Sequence, residues 1–217
     1  GSVMRGIIYK DLCLFFKGVD KIVLLVLGGL LILFAAESGV YAGMLFSFAL
    51  DMMVGLLHLT ALEKEEKTAW GKYQRTLPVG AGKVVAGKYA VVLLTVLVSI
   101  TGAVVSNLAA FAFYRTFLPE ALRWSVLVAA VTPPVWAAFN LPFYYWLGSQ
   151  VAQFTCFPLA FFFFYAIKNF EAGMWALSDL TFLAENVRSL LPLALLALAG
   201  VFLASLAISA AGCRCKR

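Results

Sequence analysis

The chain has 217 residues, 63% of them hydrophobic and 13% charged, with a mean hydropathy of +0.94 and a net charge of +6. A soluble domain is roughly 45–50% apolar and about 25% charged, so a soluble fold, a disordered chain, a collagen-like repeat and a small disulfide scaffold are all excluded. The composition predicts an all-α integral membrane protein, one transmembrane domain over residues 1–217, because each crossing needs about 20 apolar residues.

In chain order, residues 4–21 predict a helix with Met4, Ile7, Ile8, Leu12, Leu14 and Phe15 on one broad side and Lys10, Cys13 and Lys17 opposite. That pattern suits an interfacial amphipathic helix on the inner leaflet, its lysines toward the headgroups. Asp11 falls within the apolar side and therefore requires a partner or a helix end. Residues 22–62 read as two spans, about Ile22–Ala36 and Val40–Leu62, joined by a tight turn at Glu37-Ser38-Gly39. A charged segment occupies residues 63–88. Four further spans follow at about Tyr89–Tyr114, Trp124–Leu147, Val151–Ile167 and Leu190–Gly212, then a tail at residues 213–217. The layout has six transmembrane helices.

Of the 17 basic residues, Arg115, Arg123, Lys168 and Arg188 alone fall on one side of this layout. The excess on the other side places both termini and the charged segment in the cytoplasm of a cell-membrane protein. The outer loops Phe117–Arg123 and Asn169–Ser189 are short, and the second carries apolar Met174-Trp175-Ala176-Leu177 suited to a re-entrant or interfacial piece. Pro133, Pro134 and Pro142 fall in the fourth span and Pro158 in the fifth, where a bundle tolerates the freed carbonyls if neighbours or a water-lined cavity satisfy them. Cys13, Cys156, Cys213 and Cys215 give no reason to expect disulfides, and Cys213 with Cys215 makes too few ligands for a metal centre.

The charged segment is the most informative. Glu63 and Lys67 stand four apart, in the favourable order for a helical ion pair. Trp70, Tyr73 and Leu77 share one face and Pro78 stops the helix, leaving an aromatic-aliphatic ridge that suits the membrane surface or a groove in a soluble partner. Gly80-Ala81-Gly82-Lys83 does not form a phosphate loop: the required earlier glycine is Leu77, and Val84 stands where Ser or Thr belongs.

Three patches together carry a resemblance. Arg5-Gly6-Ile7-Ile8-Tyr9-Lys10-Asp11-Leu12, the run from Glu63 through Trp70, Tyr73 and Thr76-Leu77-Pro78-Val79, and Val84-Val85-Ala86-Gly87-Lys88-Tyr89 resemble the ABC-2 type transporter permeases. The match is nearest the small six-span group found with peptide and antimicrobial-peptide exporters, and Leu141-Pro142-Phe143-Tyr144 with Leu147-Gly148 is similar to that group's pattern after the fourth span. Gly80-Ala81 departs from the Ser-Arg often found there. The resemblance implies that the first cytoplasmic loop is a coupling helix docking on a separate ABC ATPase, with Glu63, Glu66, Trp70, Tyr73, Leu77 and Pro78 as contacts. It also implies a second permease copy or paralogue, and no cofactor in this chain, ATP and Mg being bound by the partner subunit.

Isolated polar residues complete the inventory. Asp51 lies near the middle of the second span, where a charge costs at least roughly 2.5–3.5 kcal/mol, so it faces a cavity, has a partner or carries a proton. His58 follows seven residues on. A proton relay through both is one reading and a helix-packing hydrogen bond is the other. Asn107, Asn140, Gln150 and Gln153 line a pathway or bridge helices. With no nucleophile, acid–base or metal-ligand grouping, an intrinsic enzyme is not expected, and no nucleic-acid partner is expected either. The leading expectation is the permease subunit of an ATP-driven exporter moving an amphipathic or hydrophobic substrate, a peptide by the resemblance. The alternatives are a proton-coupled secondary transporter and a noncatalytic membrane anchor or immunity protein.

Overall fold

The computed structural model describes residues 2–68, 80–154, 161 and 177–215. Among the described residues every regular element is a helix: α1 (Ser2–Phe16), α2 (Lys21–Glu37), α3 (Ala42–Lys67), α4 (Ala81–Tyr114), α5 (Pro119–Leu147), α6 (Ser149–Phe154) and α7 (Leu177–Cys215). Four of them supply stretches long and apolar enough to cross a membrane, Gly39–Lys67, Ala81–Tyr114, Pro119–Leu147 and Pro192–Cys215. A fifth is reached if Arg5–Phe16 and Lys21–Glu37, bent by 60° at their junction, count as one span. Six spans were expected. α2 is only 17 residues long, about 25 Å at 1.5 Å per residue. Most of the expected span Val151–Ile167 beyond α6 lies outside the described residues.

The turn between α2 and α3 is as tight as Glu37-Ser38-Gly39 suggested. The Ser38 N–H closes α2 by donating to the Phe34 carbonyl, Gly39 takes φ +53°, and a single 3-10 turn at Gly39–Tyr41 leads into α3. That left-handed backbone explains the glycine. Gly148, at φ +100°, turns the chain from α5 into α6 in the same way.

Several helix ends lie beyond the expected limits. α3 continues through Glu63–Lys67, α4 starts at Ala81 in place of Tyr89, and α7 starts at Leu177 in place of Leu190. The first two extensions share a physical cause: the charges at these ends are paired across helices, so nothing forces the backbone to leave the helix there. Pro133, Pro134 and Pro142 sit inside the continuous α5, and Pro192 inside α7.

The core lies where α3, α4 and α5 meet and includes Leu59, Leu62, Val85, Tyr89, Val92, Trp136, Leu141 and Tyr145. Two glycines permit the close approach. A Cβ on Gly43 would stand 2.7 Å from the Ser106 carbonyl oxygen of α4, and one on Gly55 would stand 2.7 Å from the Trp136 indole of α5. α7 is fastened by polar contacts: Tyr89 Oη lies 2.6 Å from Ser205 Oγ and 3.1 Å from Ser209 Oγ, Ser205 donates to the Ala138 carbonyl, and Trp146 donates to the Ile208 carbonyl. By contrast, α2 buries no side chain, and Ile22, Leu25 and Ile32 on it are exposed.

Candidate functional site at the charged ends of the bundle

The end of α3 carries three glutamates, Glu63, Glu65 and Glu66, that bind two sets of neighbours. Glu65, 3% exposed, turns inward and ion-pairs with Lys88 of α4 and, at 3.0 Å, with Lys10 of α1. Asp11 completes the group at 2.8 Å from Lys10 and 3.6 Å from Lys88. The four charges sum to zero. This balance matters because a buried ion is tolerated only when paired. Asp11, which the sequence required to find a partner, thus obtains two.

α1 is held to the same place by packing. Ile7, Asp11 and Phe15, one turn apart, are buried on α3 and α4: Ile7 meets Val84, and Phe15 meets Val54 and Leu57. Gly87 leaves room for Ile7, whose Cγ2 would be 3.0 Å from a Cβ at that position. The side of α1 assigned to the membrane surface is therefore turned in part onto protein, while Tyr9, Phe16 and Lys17 face outward.

Glu63 and Glu66, expected as contacts for an ATPase, reach α6. Glu66 accepts the Ser149 backbone N–H at 2.8 Å, a carboxylate at a helix N-terminus where the dipole favours it. Glu63 accepts from Gln153 Nε2 at 2.7 Å and pairs with Lys67 in its own helix. Three glutamates of α3 thus bind its charged end to α1, α4 and α6, and both stems of the connecting segment 68–80 are anchored through Glu65 and Lys88. Trp70, Tyr73, Leu77 and Pro78 lie outside the described residues.

Between α1, α3, α4 and α5 is a cavity of about 40 Å³ whose wall includes Asp11, His58, Glu65, Lys88, Trp136 and Asn140. A water needs roughly 10–15 Å³ by the same measure, so there is room for a few. Trp136, a wall residue, carries a buried indole N–H without a protein acceptor. Asn140 donates to the Trp136 carbonyl at 2.9 Å, and Asn107 to the Ala103 carbonyl at 2.8 Å, each within its own helix. His58 bonds Thr95 Oγ1 of α4 at 2.8 Å and rests on Phe15, ring centroids 4.8 Å apart. Asp51 does not meet His58; its neighbour is Ser99 of α4. Sequence reasoning missed Glu65, Lys88, Thr95 and Ser99 as interacting groups. The one signal available was Asp11, which demanded a cation. Among the described residues no group of three or more metal-ligating side chains exists, and Cys13, Cys213 and Cys215 form no disulfide.

A charged, cross-braced end on a bundle of long apolar helices defines a multi-pass membrane protein. The chain belongs to the ABC-2 family of transporter proteins, whose pattern it matches over residues 6–213. Members of this family are normally non-catalytic membrane subunits that work with an ABC ATPase in the lipid bilayer. No curated protein and no solved structure matches the chain.

Proposed function

We propose that the chain is the permease subunit of an ATP-driven exporter, with six spans and both termini in the cytoplasm, acting on an amphipathic or hydrophobic substrate such as a peptide. The observation that carries this reading is the family match across residues 6–213. In this reading the segment between α3 and α4 is the coupling element, and Trp70 and Tyr73 fill a cleft in a separate ATPase. The ion pairs at Glu65 and Lys88 support it by giving that segment two rigid stems, so a push on it moves α1, α3 and α4 together. ATP and Mg are bound by the partner, and a second permease copy or paralogue completes the pathway.

Replacing Trp70 and Tyr73 together by alanine tests the coupling role. Each truncated anchor costs about 2 kcal/mol or more, roughly a thirtyfold loss of affinity. ATPase recovery on pulldown and transport should fall together, while membrane abundance stays at the wild-type level. Undiminished recovery and transport would remove the coupling assignment.

A further inference from the structure

The α3–α4 seam holds a line of polar groups that the charged end does not account for. Asp51 is 2% exposed, and neither of its carboxylate oxygens reaches hydrogen-bond geometry. Ser99, which faces it from α4, is also buried and its hydroxyl also lacks a bond. Thr95, one turn back on the same face of α4, is fully buried and bonded to His58. His58 in turn is on the wall of the cavity that reaches Asp11, Glu65 and Lys88. From the cavity inward the order is therefore His58, Thr95, Ser99, Asp51.

A bare carboxylate at Asp51 would be a buried charge with no counter-ion, an expensive state in a membrane interior. Among the described residues no charged side chain faces it. α2 contributes no titratable group between Lys21 and Glu37 and α6 contributes none, while α5 carries Glu120 and Arg123 in its first turns and Tyr144 and Tyr145 in its last. His58 on α3, with Asp11, Glu65 and Lys88, stands at the cavity end. A bound proton removes the charge, and hydroxyls and an imidazole are the groups that relay one.

We propose that Asp51 is a proton-binding site supplied from the cytoplasmic side through Ser99, Thr95, His58 and water in the cavity. Release first requires the Ser99 and Thr95 hydroxyls to turn into line, since Ser99 makes no hydrogen bond at rest. The Asp51 O–H bond then breaks and the Ser99 hydroxyl takes that proton while passing its own to Thr95. Thr95 does the same to His58 Nε2 in the tautomer that carries its proton on Nδ1, and the resulting imidazolium gives that Nδ1 proton to water, which leaves the Nε2–H tautomer. The net change is a carboxylic acid and water becoming carboxylate and hydronium, and uptake is the reverse. At rest Thr95 donates to the Val92 carbonyl at 2.8 Å, so His58 Nε2–H is the donor between the two. Before each release the Thr95 hydroxyl turns from Val92 toward Nε2 and His58 returns to the Nδ1–H tautomer by proton exchange with water in the cavity. This inference is independent of the ATPase reading.

Infrared difference spectroscopy on the purified protein in lipid nanodiscs tests it. The wild type should give a protonated-carboxyl C=O band that shifts in deuterium oxide, is lost in Asp51→Asn, and moves on carboxyl-labelled aspartate, the last needing no substitution. Thr95→Val, close in shape, should slow deuterium exchange of that band at least tenfold, and Thr95→Ser should restore the wild-type rate. A band absent from the wild type or unmoved by labelled aspartate would overturn the site. Unchanged exchange in Thr95→Val would overturn the route.

Discussion

Two stretches of the α3–α4 seam treat a buried carboxylic acid in opposite ways. At the charged end Glu65 and Asp11 lie against Lys10 and Lys88, and every charge has an opposite within 4 Å. Fourteen residues back along α3, roughly 20 Å at the helical rise, Asp51 is just as buried and has a serine hydroxyl for company. Burial is common to both, so burial does not decide what the acid does; the counter-charge does. With a cation it becomes a fixed brace between helices, and without one its remaining route to neutrality is a proton.

The strongest way to break this contrast is to strip a cation from the compensated end. Lys88→Ala leaves Glu65 and Asp11 buried with Lys10 alone, and removing one member of a buried pair costs about 3–5 kcal/mol. Unfolding of the purified protein in detergent should register that loss. Lys88→Met combined with Glu65→Leu should recover most of it, because the remaining Lys10 and Asp11 neutralise each other at 2.8 Å. A double variant as unstable as Lys88→Ala would mean that packing, and not charge, holds this end.

A smaller and sharper contrast comes from one chemical change made in both places. Glu65→Gln removes the charge that Lys88 and Lys10 share, and hydrogen bonds to charged groups contribute about 1.5–3 kcal/mol each. Asp51→Asn keeps the shape and replaces what is, on the proton-site proposal, already an uncharged group. Its stability loss, measured in the same unfolding assay, should be clearly the smaller. Equal losses at the two positions would erase the distinction between them.

What the sequence disclosed and what it hid divide along the same line. The long apolar runs of α3, α4 and α5 were legible, since twenty or more apolar residues in a row admit few other structures. Their ends were not. Glu63–Lys67 and Lys83–Lys88 read as parts of a charged segment outside the spans, the first of them helical, because a charge near an apolar run normally marks its limit, and only the fold brings Lys88 to Glu65 and Asp11. The turn at Gly39 was visible because a glycine after Glu-Ser is a local signal. His58 and Asp51 drew notice as isolated polar groups, but their neighbours Thr95 and Ser99 are ordinary residues in a span and become distinctive only when α4 is laid on α3. Glu63 and Glu66 were assigned outward from the resemblance. α6 takes them up because Gly148 turns Ser149 and Gln153 toward the end of α3, a long-range consequence that local pattern does not encode.

The smallest expected effect tests the contrast from its exposed side. Lys67 pairs with Glu63 in the same α3 turn that carries Glu65, so the two acids share sequence context and differ in surroundings. The Lys67 side chain is 72% exposed, water already solvates its charge, and Glu63 keeps its bond from Gln153 when Lys67 is gone. A helical i, i+4 pair of this kind contributes about 0.3–0.5 kcal/mol and is screened by salt. Lys67→Ala should therefore shift the unfolding midpoint barely, and the shift should shrink further as ionic strength rises, whereas the Lys88→Ala loss should persist at high salt. If Lys67→Ala instead cost as much as Lys88→Ala and ignored salt, the position of a charge relative to solvent would not be what separates a brace from a bystander at this end of the molecule.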